Sequence, residues 1–469
     1  MILSVQQLYK IEENLKVLNY SFSYKNILMW PFIRFSLFQN TINKMFSINL
    51  PHTSRLKVPF SRLIPYVKKS FANDCLACSR QFEILIFSSG IVNIKNSNGL
   101  YFNRLYDHFA QLYENQTLII EGADRGLYYR PRFFHNVLYQ DAILIKTFLK
   151  SLLYKVSALD QSTISAFIVF LKKIWPIDLE TTAWDTMTWI LLMHAKCLPE
   201  FHLYYKNLLE KIRPKILILE DACYGNRSYI IKWAKEMGVV TGEFQHGLID
   251  KNHPAYNFHP HIAKSPYLDY LPDHFLSHGK YWSASIQIPS QISTVGNPYL
   301  IEFTNQYHRQ KCKKKKIVVI SSGTRWERLM NLTLALRRYF PMVDYEIIFR
   351  PHPLERDRIP QRYRLLIKNR VQIDSDNLYQ TLSQADYLIG TDISTVFFEA
   401  MRFQIPIFVQ DDPYVAYYAN PKMFILFQGI SDLLTKIETN SIKTYNSENI
   451  WDSGWKSNYQ EFITRHILD

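Results

Sequence analysis

Short apolar runs, each closed by small or polar residues, recur along the chain and predict its organisation. Phe82-Glu-Ile-Leu-Ile-Phe87 ends at Ser88-Ser89-Gly90, Thr117-Leu-Ile-Ile120 runs into Glu121-Gly122, and Lys215-Ile-Leu-Ile-Leu219 runs into Glu220-Asp221. Runs so evenly apolar fit strands covered on both faces, as in a parallel sheet, better than the alternation of a half-exposed one. Val239 to Phe244, Pro272 to Gly279 and Ile292 to Pro298 add further strand–turn units, and a helix over Ile230 to Met237 stops at Gly238. Between about residues 140 and 210 apolar residues fall at threes and fours, through Phe148, Leu152, Phe167, Leu171, Trp189 and Leu192, which predicts a helical insertion.

A second series begins at Ile317-Val-Val-Ile320 and continues through Tyr345 to Phe349, Val371 to Asp374, Tyr387 to Ile389 and Ile405 to Val409. Helical patterns separate these strands, as parallel crossovers require. Residues 301 to 315 are polar and cationic, including most of Lys311-Cys-Lys-Lys-Lys-Lys316, and read as a linker. The expected class is α/β, with two Rossmann-like domains facing a cleft. The expected divisions are a helical, basic-aromatic extension over 1–78, a first domain over 79–300 with the insertion, the linker, and a second domain over 316–469 with a C-terminal helix.

Composition narrows the partners. The chain has 469 residues, 15% of them aromatic, and a formal net charge of +14, which calls for an acidic partner such as a phosphorylated substrate or an anionic membrane surface. Nucleic acid fits poorly, because no recognition module and no basic-aromatic stripe is present. Five cysteines are too few and too scattered for a disulfide framework and suit the cytosol, and Cys75-Leu-Ala-Cys78 lacks a second pair at zinc spacing. Met1 to Lys16 reads as a polar helix, without a secretory leader pattern. Ile27 to Phe38 is apolar but shorter than the roughly 20 residues that span a bilayer. With Arg55, Lys57, Arg62, Lys68 and Lys69 downstream it reads either as a segment lying on an anionic leaflet or as a helix packed on the body.

The candidate chemistry lies at the strand ends, where open α/β sheets bind ligands. In the second domain Ser321-Ser322-Gly323-Thr324-Arg325 follows the first strand and leads into a helix at about Glu327 to Tyr339, a turn that suits a phosphate. Arg350-Pro351-His352-Pro353 fixes one imidazole between two prolines after a strand. Gly390-Thr391-Asp392-Ile393-Ser394-Thr395 ends another strand and caps a helix over Val396 to Phe403, and Glu399 within it suits ribose hydroxyls or the helix amino terminus. In the first domain Gln245-His246-Gly247 places a candidate general base at the matching edge, with Lys251 nearby for a phosphate or acceptor charge. Glu220-Asp221 is the competing base, unless Asp221 or Asn226 caps the next helix; Glu121 is a further candidate. His253, Tyr256, His259 and His261 crowd the segment after His246, but no carboxylate-supported metal spacing emerges, so no metal is expected.

These motifs resemble a known group. His246, Gly247 and Lys251 match a His-Gly-x-x-x-Lys motif, Arg350, His352 and Pro353 an Arg-x-His-Pro motif, and Asp392, Ser394 and Thr395 loosely match a strand-end acidic-Ser-Ser loop. The chain from about 215 to 420 is thereby similar to the GT-B glycosyltransferases and to the CDP-glycerol glycerophosphotransferases of teichoic acid synthesis. The bacterial sialyltransferases and polysialyltransferases share the His-Pro and serine motifs, but use an acidic pair before glycine where this chain reads Gln245-His246-Gly247. It also departs from the teichoic acid pattern, with Thr395 for the second serine and Ile393 for the usual aromatic.

The resemblance implies a metal-independent glycosyltransferase without a cofactor, acting on a nucleotide-activated sugar and a glycan or lipid-linked glycan acceptor in capsule or lipopolysaccharide synthesis at the cytoplasmic membrane face. The alternatives are a CDP-glycerol or CDP-ribitol polyol-phosphate transferase, a nucleotide-sugar 2-epimerase and a non-catalytic glycan-binding protein.

Overall fold

The computed structural model describes residues 3–48, 58–96, 98–309, 312–323, 325–352, 355, 359–374, 377–439 and 443–467. In chain order the strands are β1 (Ile84–Ser89), the short antiparallel pair β2 (Asn93–Lys95) and β3 (Tyr101–Asn103), β4 (Thr117–Gly122), β5 (Val137–Tyr139), β6 (Ile216–Leu219), β7 (Val240–Phe244), β8 (His274–Ser277) and β9 (Gln291–Thr294). After these come β10 (Lys315–Ile320), β11 (Tyr345–Arg350), β12 (Gln372–Ile373), β13 (Tyr387–Gly390), β14 (Ile407–Gln410) and β15 (Ile425–Phe427). They form two parallel sheets, in the orders β5-β4-β1-β6-β7-β8-β9 and β12-β11-β10-β13-β14-β15. Ile84, Leu85, Ile86 and Phe87 of β1 and all of β6 are buried, the two-sided covering that their unbroken apolar sequence requires. The molecule is thus two Rossmann-like α/β units carrying a helical N-terminal extension and a helical insertion.

The insertion consists of helices Asp141–Ser151, Ala158–Ile174 and Thr181–Ile212. Two expected boundaries move. The polar segment read as a linker from residue 301 begins inside a helix, Pro298–Gln306, because Asn297 caps it through Leu300 N–H at 3.1 Å and Pro298 presets its first turn. The last helix, Trp455–Ile467, grouped above with the second domain, packs on the first: Tyr459 lies against Phe109 and Phe244, and Phe462 against His274.

The N-terminal extension is integral to the first domain. Of the two readings of Ile27 to Phe38, packing holds: Ile27, Met29, Trp30, Ile33, Leu37 and Phe38 are fully buried, most of them in the helix Trp30–Met45. Nor is the described part of Met1 to Lys16, from Leu3 on, one polar helix. Val5–Tyr9 is helical, 3-10 turns follow, and Glu12 is buried where its carboxylate meets Arg34 at 2.5 Å. Arg34 also donates to the carbonyls of Pro254 and Asn257 and lies 3.9 Å from the Phe258 ring centroid, so the extension clamps the chain that follows His246. Arg55 and Lys57 lie outside the described residues. No described helix is long and apolar enough to cross a membrane.

Candidate active site

The first half of the site is built by β6 and β7, adjacent parallel strands that deliver their following loops to one sheet edge. At the end of β6 the chain turns at once through Asp221, which takes the left-handed conformation (φ 59°, ψ 31°) that Asp and Asn tolerate better than most residues. At the end of β7 the next loop carries His246. Its Nε2 lies 3.3 Å from Asp221 Oδ1 and 3.4 Å from the Tyr224 hydroxyl; its Nδ1 lies 3.3 Å from the Tyr256 hydroxyl and 4.0 Å from Glu243 Oε1. Glu243 is fully buried, and accepts from the Tyr256 hydroxyl on Oε1 and from Cys223 N–H on Oε2, both at 2.8 Å. Burial pushes its carboxyl up to about 7, against the pull of His246.

The tautomer with its proton on Nδ1 satisfies the Tyr256 side of this network, and the one with its proton on Nε2 satisfies the Asp221 side; the first is the form that can accept a proton at Nε2. In that form Tyr256 gives its proton to Glu243 and accepts Nδ1–H of His246, which leaves the Nε2 lone pair on the side of half-exposed Asp221. A lone pair oriented by a buried carboxylate relay, beside a second carboxylate able to stabilise an imidazolium, is the arrangement that removes a proton from a hydroxyl. The donor atoms of Asp221, Glu243 and His246 also lie within 4.8 Å of one another, near enough to share a cation. Each Glu243 oxygen accepts one hydrogen bond and keeps a second lone pair, so the expectation that no carboxylate-supported metal grouping emerges does not hold for these three residues, which the fold alone brings together.

The paired carboxylates divide. Glu220 is buried and accepts Ser89 N–H from β1; burial first, and the Asp221 charge second, push its carboxyl up to about 8. It braces two strand ends, while Asp221 alone reaches His246. The capping alternative fails, because the helix Ser228–Glu236 starts at Arg227 with no side-chain cap, and Asn226 presents its carbonyl to His194 Nε2 at 3.4 Å. Glu121 is ion-paired with Arg132, which also holds Asp107 at 3.0 Å, and so has a structural partner of its own. Lys251 is exposed, and its charge acts on buried Asp250.

The second half lies at the ends of β10, β11 and β13, which are adjacent and parallel. Ser321 Oγ accepts Gly323 N–H at 3.1 Å and donates to Glu355 at 2.7 Å, and Glu355 also accepts the His352 N–H at 2.9 Å. Gly323 (φ 83°) sits against the His352 ring, where a Cβ would be 3.4 Å from the imidazole Cγ. Ser322 Oγ donates to Asp392 at 2.8 Å, and Ser394 Oγ accepts Val396 N–H at 3.4 Å as the cap of the short helix Thr395–Ala400. Thr391 is buried beside them.

The two arginines depart from their expected roles. Arg325 reaches Asp412 at 2.8 Å and Asp392 at 3.5 Å, and Arg350 is paired with buried Asp374. Both guanidinium groups are therefore loop fasteners first, and an incoming phosphate would compete with a carboxylate for them. Glu399 is buried with Oε2 lacking a hydrogen-bond partner; burial raises its pKa, opposed by Arg104 of the first domain. Among the described residues that oxygen is sealed from solvent without a hydrogen-bond partner, and Tyr379 supplies a hydrogen bond to the same carboxyl. Thr324 and Pro353 lie outside the described residues.

The halves meet at Gly247, where a Cβ would stand 3.9 Å from Thr395 Oγ1. Asn252 Nδ2 donates to the Tyr417 carbonyl, and Phe46 lies between Tyr414 and Tyr417 at 5.4 and 5.0 Å. His246 and the Ser394-Thr395 turn thus lie on facing edges of the two units, on either side of the Gly247–Thr395 approach. Sequence reasoning missed Glu243, Tyr224, Asp412 and Arg104. Only Glu243 carried a signal, an acidic residue inside a buried strand one turn before a histidine.

No family model matches the chain, and no curated protein matches it. Among solved structures it is similar to the UDP-GlcNAc 2-epimerase of Methanocaldococcus jannaschii, at 14% identity over 82% of this chain and 99% of that one, with a TM-score of 0.41. The UDP-GlcNAc 2-epimerase of Neisseria meningitidis gives 12% identity over 82% and 100%, with a TM-score of 0.44. The lipopolysaccharide outer core galactosyltransferase WaaB gives 13% over 82% and 99%, with a TM-score of 0.40. Overlaps this loose assign no residue a role, and the functional reading rests on the geometry above.

Proposed function

We propose that the chain is a GT-B glycosyltransferase that moves a sugar from a nucleotide-activated donor to a growing surface glycan, at the cytoplasmic face of the membrane. The observation that carries this reading is the His246 network: an imidazole held through Tyr256 by buried Glu243, facing Asp221, beside the Ser394-Thr395 turn of the other unit. In this mechanism the donor lies on the second domain. His352, Ser394, Thr395 and the Ser322-Gly323 backbone meet its phosphates, and Glu399, buried one turn into the helix after them, takes a ribose hydroxyl once the bound donor opens a path to its unpartnered oxygen. His246 Nε2 accepts the proton of the acceptor hydroxyl as that oxygen attacks the anomeric carbon, and the nucleotide leaves with the bonding electrons. Asp221 stabilises the imidazolium. Fixed amides and the His352 ring supply the electrostatic stabilisation at the phosphates.

The test is a thermal-shift titration with CMP, CDP, UDP, GDP and their sugar or polyol conjugates, since a ligand that binds only the folded state raises apparent stability. CMP would indicate an acidic sugar, UDP or GDP a hexose, and CDP a polyol phosphate. His246→Ala is expected to keep the shift while turnover falls about 10²–10⁴-fold, and His352→Ala to lose the shift. Undiminished turnover in His246→Ala would remove the base from this mechanism.

A further inference from the structure

The helical insertion carries an exposed surface that the cleft chemistry does not use. At the end of the helix Asp141–Ser151 and in the turn after it, Phe148, Leu149, Leu152, Leu153 and Tyr154 are 53%, 55%, 65%, 84% and 49% exposed. A helix-to-helix turn in water has no reason to present leucines in this number, and apolar patches of this kind mark interaction sites. Beside the turn an open groove of 820 Å³ runs between the helices Ala158–Ile174 and Thr181–Ile212. Its walls are apolar, with Trp189 41% exposed, and its charged lining residues are Lys155, Lys172 and Lys196, with no carboxylate among them. The acid of the first groove helix, Asp160, is buried and taken by Ser23 and Ser157, while on the second Asp185 is exposed one turn before Trp189 and outside the groove lining, so three lysines face one carboxylate on this side.

We propose that this face docks on an anionic phospholipid bilayer, with Leu152, Leu153 and Tyr154 entering the headgroup–acyl boundary and Lys155, Lys172 and Lys196 resting on headgroup phosphates. Apolar side chains ringed by lysines match that interface in both hydropathy and charge. A second copy of the chain matches it poorly, because a two-fold contact would set lysine against lysine. The location also serves the reading above, which this inference deepens and whose membrane-side acceptor it presupposes. The groove turn of helix Thr181–Ile212 has His194 on its other side, its ring tilted against Phe32 at 4.1 Å and facing the Asn226 carbonyl of the loop that follows Asp221. About one helix diameter, roughly 10 Å, therefore separates the docking groove from the loop that builds the His246 network.

The test uses the full chain and sedimentation with vesicles of phosphatidylcholine alone or with a third phosphatidylglycerol. Binding is expected only to the anionic vesicles and is expected to weaken in 0.5 M salt. The triple change Lys155→Gln, Lys172→Gln and Lys196→Gln is expected to weaken it roughly a hundredfold. Leu153→Asp, at a site too exposed to unfold the protein, is expected to abolish it with an unchanged melting temperature. His246→Ala should bind vesicles as the parent does, so a failure of the base assignment and a failure of the docking face are told apart. Equal binding to neutral vesicles, no binding to either, or a dimer in sedimentation velocity that Leu153→Asp dissolves would each overturn the proposal.

Discussion

Asp221 holds a backbone conformation that most residues avoid, and it holds it 3.3 Å from His246. Asn is at least as comfortable there, so Asp221→Asn removes the charge and leaves the turn. Turnover is expected to fall by roughly 10²-fold with nucleotide affinity intact, as read by steady-state kinetics beside thermal shift; a joint loss of both would mean that the turn had collapsed. His246, His352 and Ser394 were legible because each stands at a strand end next to glycine, proline or a capping position, where sequence and backbone geometry are tightly linked. Glu243 was legible only as an acidic residue inside a buried strand: a strand places every second side chain on the same face, but only the fold shows that Tyr256 and Cys223 wait there. Asp221 was half legible, since adjacency to Glu220 suggested a shared role and the chain turn between them sends the two carboxylates to different neighbours.

At the scale of elements, the helix Trp30–Met45 is the clearest departure. Its apolar sequence is compatible with a membrane surface or with a protein interior, and it chooses the interior because Glu12 and the carbonyls of residues 254 and 257 satisfy Arg34 there. It also presses on the turn that builds the site. Gly225 (φ 87°) lies under the Pro31 carbonyl, which a Cβ would overlap. Gly225→Ala combines a disfavoured φ with overpacking and is expected to cost on the order of 3 kcal/mol, seen as a lowered urea midpoint. A midpoint within error of the parent would show that the helix can move away. The parallel strands, by contrast, were readable one by one, and those missed, Val137–Tyr139 and Ile425–Phe427, are three-residue edge strands too short for a pattern.

At the scale of the molecule, the chain crosses back after the second sheet and ties the two units. Trp451 is fully buried, donates to the Phe398 carbonyl at 2.8 Å and stands 5.6 Å from Trp282, whose own ring N–H donates to the Ile450 carbonyl at 2.8 Å. Trp451→Ala is expected to cost about 3–5 kcal/mol and to split one thermal transition into two in calorimetry; a single, unshifted transition would show that other contacts hold the units together. By itself the sequence determined two parallel α/β units, a helical insertion and the strand ends that carry polar motifs, because buried parallel strands and turns are written in local composition. The tertiary structure decided which polar residues meet. It sent Glu220 inward and Asp221 to His246, paired Arg325 and Arg350 with carboxylates, buried the N-terminal helix and returned the last helix to the first domain. Those outcomes depend on partners distant in sequence, whose desolvation and hydrogen-bond demands are met only once the chain has closed on itself.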